Sequence, residues 1–156
     1  MIPERYSPQT YALMRIVFGF VFLILGLGKW GFFPGPWQFY GGQAVPTASL
    51  MGAAGVIETV GGFLLMIGLF TRPVAFLCSG EMAVAYFLIH QGQGALPNQN
   101  MGERAVLFCF AWLFIASRGA GIWSVDATMG GGAALITKFR PDARAPSLGV
   151  SSAKQI

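Results

Sequence analysis

The run PVAFLCSGEMAVAYFLIH, from Pro73 to His90, is apolar and long enough to cross a membrane, yet it carries Glu81 near its middle and His90 at its end. At about 1.5 Å per residue it makes a helix of roughly 27 Å, close to the hydrocarbon thickness of about 30 Å. An ionisable side chain at the centre of a spanning helix costs on the order of 3 kcal/mol on insertion scales, so Glu81 is expected to face a bundle interior. There it either carries function or serves as a hydrogen-bonded strut.

The rest of the chain supports a membrane reading. Only 10% of its 156 residues are charged, against about 25% in an ordinary soluble domain, which leaves too little charge for a water-facing surface. Hydrophobic residues make up 54%, and the mean hydropathy is +0.60. The charges gather at the ends of apolar runs. A formal charge of +4 without an aromatic-interleaved basic patch argues against a nucleic-acid partner. Cys78 and Cys109 form no CxxC and lie in apolar runs, so they point neither to a metal site nor to a disulfide framework.

The expected fold is all-α: a polytopic membrane protein, a four-transmembrane-helix bundle with a long aromatic first loop. The membrane domain is expected over residues 1–127, with spans at about 11–28, 49–70, 73–90 and 103–120. Residues 128–156 read as a basic cytoplasmic tail, and its AALITKF segment is too short to span. The first nine residues are short and polar, and no cleavable signal is expected. Arg15, about one turn inside the first run, either snorkels to the headgroups or turns inward to meet a carboxylate. Residues 29–48, from Lys29 on, are interrupted by Pro34, Pro36 and Pro46 and loaded with Trp30, Trp37, Tyr40 and three phenylalanines, which suits an interfacial belt or a binding lid.

On the second run Glu58 has Ala54 and Gly55 one turn before it and Gly61 and Gly62 one turn after it. A stripe this small admits another helix backbone, so Glu58 is expected at a helix interface or a narrow cavity. Thr71, Arg72 and Pro73 form a tight turn into the third run. Glu81 and His90 are nine positions apart, half a turn out of phase on a straight helix, so they need not share a site. His90 meets the polar connection QGQGALPNQNMG and could simply be solvated or capping. Glu103 opens the fourth run, where a carboxylate complements the helix dipole.

Lysine and arginine counts set the orientation. With the N-terminus inside, Arg5, Arg15, Arg72, Arg118 and the tail cations lie on the cytoplasmic side, leaving Lys29 and Arg104 outside. Both termini are therefore expected to be cytoplasmic, in the inner membrane of a prokaryote. His90, Asn98, Asn100 and Glu103 then gather at the outer face, with Glu58 below them and Glu81 deeper, towards Arg15.

GLGKW at the end of the first run, then IETVGGFLLMIGLFTRPVAFLCSGEMAVAYFLIH, PNQNMGERAVLFCF and GIWSVDA, strongly resembles the DoxX family of small four-helix membrane proteins. Glu58, Gly61, Gly62, Thr71, Arg72, Glu81, His90, Asn100, Glu103, Trp123 and Asp126 stand where that family's pattern has them. The resemblance covers about residues 12–127. It implies similarity to the small membrane subunit of an archaeal thiosulfate:quinone oxidoreductase, or to relatives that serve as membrane partners of soluble redox or detoxification enzymes.

The chain has no haem-attachment CxxCH, no iron–sulfur cysteine set, no dinucleotide fingerprint, no metal motif and a single histidine. Two function classes follow. One is a quinone-linked oxidoreductase subunit with a non-covalent quinone, in which Glu81, Glu58, His90 and Glu103 are candidates for proton transfer and Arg15, Lys29, Trp37 and Asn100 for contacts to a quinone or an anion. The other is an accessory or scaffold subunit of a larger membrane redox complex, or a homo-oligomer, in which the same groups hold the helices in register. A small transporter ranks behind both.

Overall fold

The computed structural model describes residues 3–33 and 44–130, and no strand occurs among them. Expectations for Trp37 and the rest of loop 34–43, and for the tail from residue 131, lie outside the described residues. A 3-10 turn at Glu4–Tyr6 leads into α1, Ser7–Lys29, with Pro8 in its first turn, where a missing N–H costs nothing. Helix α2 spans Leu50–Ile67, and the Ser49 side chain caps it by accepting the Gly52 N–H at 3.0 Å. It ends at Gly68, which sits in the left-handed region at φ 72°. Helix α3 runs Thr71–Ala85 and continues through a π-helical turn, Tyr86–His90, into a 3-10 turn at Gln91–Gln93. Helix α4 spans Glu103–Arg118.

The helices alternate in direction. One end of the bundle gathers the start of α1, the α2–α3 turn and the end of α4: the Tyr11 hydroxyl donates to Gly119 O at 2.6 Å and Arg15 reaches Leu65 and Ala120. The opposite end gathers Lys29, Ser49, His90 and Glu103, at the other terminus of each helix.

Glycines set how closely α1 and α2 approach. A Cβ on Gly19 would fall 2.6 Å from Met66 N, one on Gly62 2.8 Å from Leu23 Cα, and one on Gly26 would strike Thr59. The small stripe beside Glu58 thus divides its work: Gly62 faces α1, while Gly61 faces the Cys78 thiol on α3. Helix α4 closes the bundle through aromatic packing. Phe22 lies 5.3 Å from Trp112, Phe18 lies 5.6 Å from Phe108, and Trp112, Phe22 and Ile115 are wholly buried.

The outer surface is apolar, with Phe20, Phe63, Phe76 and Phe110 between 48% and 68% exposed. Such a surface suits lipid and would be a liability in water. Three helical stretches, Glu4–Lys29, Leu50–Ile67 and Thr71–Gln93, are long and apolar enough to cross a membrane. The fourth, expected over 103–120, stops at Arg118 because Gly119 turns the backbone to φ 92°. Its 16 residues make about 24 Å, short of the hydrocarbon thickness. The chain is a membrane protein whose helices contact the bilayer.

Candidate functional site

At the end of the bundle where α1 finishes and α4 begins lies a cavity of about 130 Å³. Every helix contributes polar groups to its wall: Lys29 from α1, Glu58 from α2, Glu81 and the π-turn residue His90 from the third helical stretch, and Arg104 from α4. Leu25, Ile89, Phe108 and other apolar side chains complete the lining. The volume is of the order of a cavity that takes one benzene-sized ring.

Close approach of α1 and α2 builds the first part of the site. With Gly26 against Thr59, the last turn of α1 lies beside the middle of α2, and the Lys29 ammonium forms an ion pair with Glu58. The pair is shielded, with the Glu58 side chain 4% exposed and that of Lys29 18%. Trp30 covers it from the loop side: its ring lies against Gly55 and its indole N–H donates to Thr59 Oγ1 at 3.3 Å. Removing water from both charges is costly, and breaking such a pair by deleting one partner costs about 3–5 kcal/mol.

Glu81 faces the same cavity without such a partner. Its Oε2 is buried and accepts no hydrogen bond from the described residues. His90 comes into play through the π-helical turn, in which the Gln91 N–H bonds to Tyr86 O five residues back. This wider turn slows the rotation per residue, so Glu81 and His90, half a turn apart on a regular helix, line one cavity. The His90 ring is anchored by its Nδ1, 3.0 Å from Asn100 O.

Other expected site residues go elsewhere. Arg15 turns inward, but at the opposite end of the bundle, where it donates to Leu65 O at 2.7 Å, Met66 O at 2.9 Å, Ala120 O at 2.8 Å and Trp123 O at 2.7 Å. It is wholly buried and meets carbonyls that the end of α2 leaves unpaired and those of the non-helical segment after α4, so neither Glu81 nor a cavity ligand is within its reach. Asn100 is also wholly buried and is not on the cavity wall; its amide is spent on Gly94 O and Gly102 N. Glu103 is exposed in the first turn of α4 and off the wall. Trp37 lies outside the described residues.

Arg104 and the wall methionines Met51, Met82 and Met101 were not anticipated as site residues. For Arg104 the signal was present in the sequence: it stands four positions before Phe108, on the face of α4 that points inward.

Among known proteins, the chain is similar to an uncharacterized protein of Haemophilus influenzae, 41% identical over 126 residues, covering 79% of this chain and 92% of the relative. It is 27% identical over 125 residues to the Escherichia coli inner membrane protein YphA, covering 76% of this chain and 89% of YphA. A shorter match, 37% identical over 65 residues, covers 42% of this chain and 48% of CatD of Bacillus subtilis, whose name carries a provisional oxidoreductase label. No solved structure matches the chain. The sequence model of the DoxX family matches residues 10–91, the stretch that supplies Lys29, Glu58, Glu81 and His90, and with the Haemophilus relative it makes this chain a member of the DoxX family.

Proposed function

We propose that the cavity binds a small ring-bearing redox molecule of the quinone type, and that the chain works as a membrane subunit of an oxidoreductase system. The observation that carries this reading is the pairing, on one cavity wall, of the Lys29–Glu58 ion pair with a buried Glu81 oxygen that lacks a hydrogen-bond partner. An unsatisfied buried polar atom costs about 1–3 kcal/mol, and a ligand that bonds to it recovers that cost. The volume of about 130 Å³ suits a single ring.

A bound quinone would supply two-electron, two-proton acceptor chemistry. The protein's own groups supply the rest. Glu81 and His90 hold and exchange protons with the ring oxygens, Lys29 adds hydrogen-bond donors, and Arg104 contributes positive charge. Phe108 and Ile89 present apolar surface to the ring. Electrons come from a second substrate or from a partner protein of the same membrane complex, a role in keeping with the oxidoreductase label on CatD. The membrane is the cytoplasmic membrane of a prokaryote, in keeping with YphA's name, and the lysine and arginine count supports both termini inside.

A second reading, an accessory subunit without chemistry of its own, is favoured by the Lys29–Glu58 pair alone, since buried ion pairs also fix helix register. Glu81 separates the two. Glu81→Gln should leave a folded, abundant protein but weaken binding of a short-chain quinone at least about tenfold by titration calorimetry, the worth of one good hydrogen bond. Unchanged binding would remove Glu81 from the site and leave the accessory reading.

A further inference from the structure

We infer that Asn100 locks His90 into the tautomer with its proton on Nδ1, so that His90 offers a bare Nε2 to the cavity as the acceptor for a hydroxyl or N–H group of the ligand. This rests on the proposed ligand-binding role of the cavity and specifies how the ligand is recognised. His90 Nδ1 lies 3.0 Å from the main-chain oxygen of Asn100. A carbonyl oxygen can only accept, so Nδ1 must donate. In a neutral imidazole one nitrogen carries the proton and the other is an acceptor, which leaves Nε2 unprotonated. Nε2 has no hydrogen-bond partner among the described residues, and His90 forms part of the cavity wall.

The carbonyl that sets this choice cannot drift. The Asn100 side chain is wholly buried; its amide donates to Gly94 O at 3.0 Å, its Oδ1 accepts the Gly102 N–H at 2.9 Å, and its own N–H bonds to Leu96 O at 3.2 Å. Gly102 fits only because it lacks a Cβ, which would come 2.7 Å from both Asn100 Oδ1 and the Tyr86 ring. Asn100 is therefore a positioning residue. It acts through His90 and is not itself on the cavity wall.

Together with the unpartnered Glu81 oxygen, the bare Nε2 gives the wall two polar atoms that a proton donor on the ligand would satisfy. The chemistry selected is a hydroxyl-bearing ring in preference to the same ring with its hydroxyls methylated.

His90 is the only histidine in the chain, so protein labelled with nitrogen-15 histidine and purified without a histidine tag gives one imidazole signal pair. In the ligand-free protein Nδ1 should be protonated and Nε2 bare. Hydroquinone should shift Nε2 while leaving Nδ1–H in place, and 1,4-dimethoxybenzene should bind about tenfold more weakly. Asn100→Asp, which keeps the acceptor for Gly102 N–H but loses the donor to Gly94, should give mixed tautomers and erase the preference for the hydroxyl. A dominant Nε2–H tautomer in the unaltered protein would overturn the inference whatever the variant does. So would hydroquinone binding that depends on Glu81 yet leaves Nε2 unmoved, although the proposed function would then stand. An Nδ1–H tautomer in a protein that binds neither ring compound would overturn the proposed function and, with it, the ligand recognition inferred here.

Discussion

Asp126 lies beyond α4, yet it completes α3. Its two carboxyl oxygens accept the N–H groups of Phe70 and Thr71, each at 2.8 Å, and its own N–H bonds to Gly68 O at 2.9 Å. The first N–H groups of a helix have no partner within it, so a carboxylate from the far end of the chain does what an N-cap does locally. Partial burial works against the charged form, but the Thr71 and Phe70 hydrogen bonds and the nearby Arg15 charge outweigh it and hold the carboxyl below the ordinary aspartate range. A carboxyl lowered on folding contributes stability that is present above its unfolded value, near 4, and is lost as pH falls through the lower folded value. Asp126→Asn should therefore lower the stability of the detergent-solubilised protein by about 1 kcal/mol at neutral pH, the worth of a cap. The gap between variant and parent should close as pH drops below about 4; a gap that persists in acid would remove the carboxylate from this role. The Asp126 role was not legible in the sequence, because a cap supplied from 55 or 56 residues away leaves no local pattern. Arg15 was half legible: its inward turn was one of the two expected arrangements, but a cage of carbonyls forms only when three helix ends meet.

At the scale of elements, the hairpin of α2 and α3 could be read from the sequence, but not its turn: Thr71, Arg72 and Pro73, expected to form it, instead open α3, and the chain turns over residues 68–70, where Gly68 at φ 72° ends α2 after Ile67. The π-helical turn could not. Tyr86–His90 has nothing in its composition to distinguish it from regular helix, so the sequence put His90 on the wrong side to meet Glu81. The glycine stripe was legible as a packing face, but which glycine faces which helix needed the bundle. Gly62 meets the backbone of Leu23, which cannot step aside; Gly61 meets the Cys78 thiol, which can rotate; Gly80 has open space around it. Denaturant unfolding of single alanine variants should follow that order. Gly62→Ala should cost about 3 kcal/mol or prevent assembly, Gly61→Ala about 1 kcal/mol, and Gly80→Ala should be neutral or stabilising by up to about 1 kcal/mol. Equal losses at Gly61 and Gly62 would mean that α1 and α2 part easily, which the Lys29–Glu58 contact would not survive.

For the whole molecule, the two ends of the bundle differ in kind, and that difference bears on which way the chain sits in the membrane. Counting lysines and arginines along the sequence places the termini inside, but the structure withdraws two residues from the count. Arg15 is buried among carbonyls and Lys29 is paired with Glu58, so neither offers its charge to headgroups. Of the other described cations, Arg5, Arg72 and Arg118 lie at the end where α1 starts and Arg104 at the cavity end. Each cation beside an anionic cytoplasmic leaflet is worth about 1 kcal/mol, so the imbalance supports the proposed orientation, with the α1 start inside and the cavity facing outward. The cavity would then exchange protons with the outer side, not with the cytoplasm. Replacing Cys78 and Cys109 with alanine and adding a single cysteine tests this in intact cells with a membrane-impermeant maleimide. Gln93, exposed beyond the π-helical turn, should label from outside as Gln93→Cys, whereas Thr128→Cys, exposed at the opposite end, should label only after the cells are opened. The reverse pattern would invert the bundle and connect Glu81 and His90 to the cytoplasmic proton pool.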